Sequence, residues 1–86
     1  MDAEQLKKDI GDKKNVEGKE GDCAYKISHI LDGSLIKVSF SGPPESREKL
    51  EAMFKKILGP PFCSVNSPGI DLFSWTINSV VLSATG

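Results

Sequence analysis

Pro43-Pro44-Glu45-Ser46-Arg47-Glu48-Lys49-Leu50-Glu51-Ala52-Met53-Phe54-Lys55-Lys56-Ile57-Leu58-Gly59 is the stretch against which the rest of the chain can be placed. Its large apolar residues, Leu50, Met53, Phe54, Ile57 and Leu58, recur at i, i+3, i+4, i+7 and i+8, the spacing of one helical stripe. Proline suits the first turn of a helix, where its missing N–H would have no partner anyway. Glu45 and Glu48 near the start and Lys55 and Lys56 near the end match the helix dipole, and Arg47–Glu51, Glu45–Lys49 and Glu51–Lys55 are i,i+4 pairs. Gly59 is a natural cap, and Pro60-Pro61 cannot continue the helix. The stripe needs a cover, and the flanking sequence must supply it.

Upstream, Asp32-Gly33 lies between two runs rich in β-branched and aromatic residues and is a preferred two-residue hairpin turn. That turn pairs His29 with Ile36, Ile27 with Val38 and Tyr25 with Phe40 on one, mostly apolar, face. The other face pairs Ile30 with Leu35, Ser28 with Lys37 and Lys26 with Ser39. A slip of one residue would put the apolar set in solvent, so alternation and turn chemistry select one register. Downstream, Phe62-Cys63-Ser64-Val65 reads as a short strand and Asn66-Ser67-Pro68-Gly69 as a turn with Pro-Gly at its centre. From Ile70 to Leu82, Phe73, Trp75, Ile77 and Val81 alternate with Ser74, Thr76 and Asn78, which reads as strand. Asn78-Ser79 could be a bulge or second turn, and Ile70, Phe73, Ile77, Val80 and Val81 also approximate a helical stripe. The Thr, Ser and Val content favours strand. The expected fold is a small single α+β domain: hairpin, helix, second hairpin (ββαββ-like), with one amphipathic helix packed on one face of an antiparallel sheet.

Residues 1–22 carry seven acidic and five lysine side chains, with Met1, Ala3, Leu6, Ile10 and Val16 as the apolar positions. So little apolar surface predicts a flexible charged tail over residues 1–21, ahead of a domain over 22–86. Leu6 and Ile10, four apart, permit one amphipathic helical turn, too short to persist alone.

Composition narrows the function classes. A chain of 86 residues, 38% hydrophobic, suits one core. No uninterrupted apolar run exceeds three residues, far short of a membrane span. The start Met-Asp-Ala-Glu-Gln has neither the basic nor the apolar region of a secretory signal, so the expected location is the cytoplasm. There, Cys23 and Cys63 would stay reduced. Eleven basic and twelve acidic residues give a net charge of −1, which makes nucleic acid an improbable partner.

Chemistry-bearing residues are few. His29 is the sole histidine and, as a general base, would need a carboxylate or thiol such as Asp71 or Cys63 beside it. Cys23, Cys63 and His29 lack the paired spacing of a zinc site, and Gly33, Gly42, Gly59 and Gly69 are isolated turn or cap residues rather than a phosphate loop. No cofactor is implied. Lys26, Lys37, Ser28 and Ser39 form a mildly basic outer face without the aromatics that stack on bases. Ile30 and Leu35 make an apolar corner on that face. Two readings follow. The leading one is a non-catalytic interaction module that binds a protein partner, or a second copy as a homodimer, through a sheet edge, the Ile30/Leu35 corner with Lys26 and Lys37, or the tail. The other is a small-ligand or catalytic domain with a pocket around His29, Cys63 and Trp75.

Overall fold

The computed structural model describes residues 3–30 and 34–76. The elements in chain order are α1 (Ala3–Gly11), β1 (Val16–Glu20), β2 (Cys23–Ile30), β3 (Leu35–Ser41), α2 (Pro44–Leu58), β4 (Cys63–Ser67) and β5 (Ile70–Thr76). The strands form one antiparallel sheet in the order β1-β2-β3-β5-β4. The α+β class expected from the sequence holds.

The first hairpin pairs in the register its alternation dictates, with Tyr25 opposite Phe40, Ile27 opposite Val38, His29 opposite Ile36 and Ile30 opposite Leu35. The Asp32-Gly33 turn lies outside the described residues, as do Ile77, Asn78, Ser79, Val80, Val81 and Leu82 of the downstream run. Pro68 and Gly69 form the second turn, and Gly69 has the positive φ (80°) that favours glycine. β5 then pairs with β3, setting Phe73 against Val38 and Trp75 against Ile36. The fully buried Ile27, Ile36, Val38 and Trp75, together with Phe73, thus share one sheet face.

Both helices cover that face. Leu50, Phe54 and Leu58 of α2 join one core cluster with Leu6 and Ile10 of α1 and with the buried strand residues. The buried stripe of α2 is rotated from the purely apolar one: Met53 lies at its exposed margin, and Glu51 is buried. Gly59 ends the helix at φ 85°, with its N–H donating to the Lys55 carbonyl at 2.8 Å.

The N-terminal segment differs from the expected tail. Residues 3–11 form α1, whose Leu6 and Ile10 are 4% and 2% exposed, and β1 pairs with β2 along its whole length. Two apolar residues one helical turn apart suffice because the sheet face beside α2 is there to receive them. Tertiary burial supplies what a nine-residue helix lacks alone. Val16 and Gly18 then fall on the covered face, and a Cβ at Gly18 would collide with the Tyr25 ring lying across it. The absence of a side chain at Gly18 is what lets Tyr25 pack.

Ile10→Ala should therefore destabilise the domain by about 2–5 kcal/mol, whereas Lys8→Ala, on the exposed side of the same helix, should change stability by less than about 0.5 kcal/mol. Urea titrations of the two variants measure this. Equal, small losses would mean that α1 does not dock.

Candidate functional site

The residues singled out by sequence are distributed between the two faces of the sheet. Trp75 is fully buried, and its Nε1–H donates to the Gly59 carbonyl at 2.8 Å, so it is core with its one polar atom satisfied. His29 is on the same face, two strands away through Ile36. Its Nε2 lies 2.9 Å from the Lys14 carbonyl, which can only accept, so Nε2 carries the proton. The His29 backbone N–H donates to Asn15 Oδ1 at 3.1 Å, and Nδ1 is buried without a partner. His29 thus pins the loop between α1 and β1 to β2. Cys63 is exposed and pairs with Ser74, which alternates with Trp75 and so faces the other way. The structure does not bring His29, Cys63 and Trp75 together. A shallow depression of about 500 Å³ lies elsewhere, bordered by Lys19, Lys26, Ser39 and Ser41.

Lys26, Lys37, Ile30 and Leu35 all lie on the face that carries no helix. Ile30 is 37% exposed and Leu35 half-buried. Lys26 pairs with Glu17 at 3.5 Å, both largely exposed, a contact of little energetic weight. Because β2 is flanked by β1 and β3, and β3 by β2 and β5, neither strand of this hairpin is a sheet edge. Lys26 and Lys37 protect no edge, and the Ile30/Leu35 corner does not border one.

Among the described residues the edges are β1 and β4, and they are built differently. β1 reads Val-Glu-Gly-Lys-Glu, with charges at three of five positions; β4 reads Cys-Ser-Val-Asn-Ser, with none. Every residue of β4 is exposed, including Val65 at 51%, and Phe62 just before it is 70% exposed. Residues 57–70 contain no charged side chain at all. Such an edge lacks the charges with which edge strands are ordinarily blunted.

Sequence reasoning missed a buried polar network that fixes the hairpin bearing this edge. Asp71 of β5, 4% exposed, accepts from Arg47 Nε at 2.9 Å through one carboxylate oxygen and from Asn66 Nδ2 at 2.9 Å through the other. Arg47 also donates through Nη1 to the Gly42 carbonyl at 3.2 Å. Glu51, 8% exposed, hydrogen-bonds to Asp71 while its Oε1 has no partner. Burial, reinforced by the Asp71 hydrogen bond and charge, raises the Glu51 pKa to about 7. The hydrogen bonds from Glu51 and Asn66 and the Arg47 guanidinium hold the Asp71 carboxyl below its ordinary value. Below about pH 7 the pair is therefore a neutral Glu51 donating to an ionised Asp71. Cys23, fully buried against this group, has its thiol pKa raised by burial, the opposite of a nucleophile's. In sequence, Arg47–Glu51 and Glu51–Lys55 look like surface pairs. The readable signal was that 47, 51, 54 and 58 also form a stripe, facing Asp71 between apolar neighbours on β5. Among the described residues no group of histidine, cysteine and carboxylate side chains could hold a metal ion, and no helix is long and apolar enough to cross a membrane.

Comparison of the chain with protein-family models, curated proteins and solved structures found no match.

The Glu51–Asp71 pair makes stability depend on pH. Glu51 binds its proton more tightly folded than unfolded, so its contribution is fully present below pH 4.5 and is lost as pH rises through about 7. The change is on the order of 3 kcal/mol, since one pKa unit corresponds to about 1.4 kcal/mol. Asp71 has the opposite sign: its contribution is present above its ordinary value of 3.8 and lost as pH falls below it. Glu51→Gln retains a donor for Asp71 and should flatten the decline between pH 5 and 8 in thermal or urea unfolding. Identical slopes in variant and wild type would show that Glu51 does not carry it.

Proposed function

We propose that the chain is a non-catalytic interaction module that binds a protein partner by accepting an extended segment on the outer edge of β4. One observation carries this reading: β4 is an edge strand with no charge and no buried side chain, next to the exposed Phe62 and Val65. In strand addition, backbone hydrogen bonds supply affinity and the flanking side chains supply selectivity. Natural edges are ordinarily blunted by charge, proline or a covering element. β1 fits that description; β4 does not. The Arg47–Asp71–Asn66 bonds support the same reading, because they fix the hairpin that presents the edge and so lower the entropic cost of docking. The alternative, a pocket around His29, Cys63 and Trp75, draws no support from residues on opposite faces. The N-terminal segment and the Ile30/Leu35 corner rank below β4, since the first is packed into the domain and the second borders no edge.

A phage-displayed library of unstructured peptides is a suitable probe. Selected peptides should slow amide exchange within residues 63–67, and Val65→Lys should weaken their binding tenfold or more while circular dichroism stays unchanged. Peptides that protect another surface, or that bind the variant equally well, would overturn the reading.

A further inference from the structure

We infer that the segment accepted by β4 is β4 of a second copy, paired antiparallel about a two-fold axis through Val65, so that the sheets of the two copies become one continuous sheet. The inference rests on the edge reading above and names its occupant.

Geometry comes first. The turn at Pro68-Gly69 is hydrogen-bonded, so Ser67 and Ile70 are a bonded pair. Alternation along an antiparallel ladder then makes Val65–Leu72 and Cys63–Ser74 bonded pairs as well, and leaves the N–H and C=O of Ser64 and Asn66 turned away from β5. A two-fold axis through Val65, the middle residue of the five, brings Ser64 opposite Asn66 of the other copy twice over. All four outward groups of each strand are then satisfied by four N–H···O=C bonds, with Cys63 opposite Ser67. Centring on any other residue leaves part of the edge unpaired.

The side chains allow the same pairing. Pairing like with like is unfavourable for a charged edge, but β4 and its flanks over residues 57–70 carry no charge, so no like charges meet. A net charge of −1 adds little long-range repulsion between copies. On the helix-free face Val65 meets Val65 on the axis, and each has Leu72 of its own copy beside it. Residues at a non-bonded pair approach most closely, so this contact is the tightest in the interface. The strand order continued from each register puts Phe62, 70% exposed, opposite Pro68 of the other copy. The contact is one short strand from each copy, which is small, so association should be concentration-dependent and weak, in the range of roughly tens to hundreds of micromolar.

Sedimentation of the full chain across that range, under reducing conditions, should show the average mass rising from one copy towards two, and Val65→Lys should remain at one copy throughout. Register is tested covalently. In a Cys63→Ser background, Val65→Cys places a cysteine on the axis and should oxidise to a disulfide-linked pair at least tenfold faster than Ile70→Cys in the same background, a position off the axis on β5. A wild-type chain that stays at one copy at the highest concentration, or cross-linking no faster on the axis than off it, overturns the second copy as occupant. If selected peptides still protect residues 63–67 in that case, the edge reading stands and only the occupant is wrong. A dimer that persists in Val65→Lys overturns the inference by placing the interface elsewhere.

Discussion

Phe54 is the side chain on which the packing of the domain depends. From the middle of α2 its ring meets Tyr25 of β2 at 5.4 Å, Phe40 of β3 at 4.9 Å and Trp75 of β5 at 6.3 Å between centroids. One buried ring thereby joins three strands that come from both halves of the chain. The edge-to-face geometry with Tyr25 and Phe40 adds a directional preference to area burial. Around this centre the sheet buries one face beneath both helices and leaves the other to water. Lys26, Lys37, Ser28, Ser39 and Ser74 lie on that other face.

The polar network at the start of α2 solves a problem that the apolar packing creates. Rotating the helix so that Phe54 reaches three strands also turns Arg47 and Glu51 inward. A buried cation and two carboxyl groups would be costly if left unpaired. Here the arginine charge meets Asp71, Asn66 supplies a second donor to the same carboxylate, and Glu51 keeps its proton up to about pH 7. Neutrality is reached by a pKa shift rather than by a fourth charge, at the cost of one unpartnered oxygen on Glu51. Because Asp71 and Asn66 belong to β5 and β4 while Arg47 and Glu51 belong to α2, the network decides how the second hairpin is held.

How much was legible in the sequence follows from where each signal resides. The first hairpin was legible to the residue, since its register depends on local alternation that Ile27, Val38, Tyr25 and Phe40 state twice. The helix was legible in extent, but its rotation was not: Met53 fits an apolar stripe better than Glu51 does, and only Asp71, on a distant strand, explains why Glu51 is inside. The N-terminal segment was misread for a related reason. Leu6, Ile10 and Val16 are too few to order a chain by themselves, and their partners lie on a sheet face completed far along the sequence. Of the candidate site, Val65 and Phe62 were visible as a short strand, but an edge is a property of strand order. The insertion of β5 between β3 and β4 cannot be deduced from local pattern.

That strand order also explains why the two edges differ in composition. β1 is tied to β2 by a tight connection through Gly21-Asp22, and its outward residues are free to be charged, which they are at Glu17 and Lys19. β4 follows α2 through Gly59-Pro60-Pro61 and among the described residues pairs with β5 alone; its Asn66 bonds Asp71 and its remaining positions are small or apolar. A strand with one neighbour among the described residues and no charge of its own presents a row of unpaired backbone groups, here beside the exposed Val65 and Phe62. The apolar residues on β4 contribute nothing to the core, since every residue of the strand is exposed. Their exposure beside the outer edge is the observation on which the proposed strand-accepting role of β4 rests.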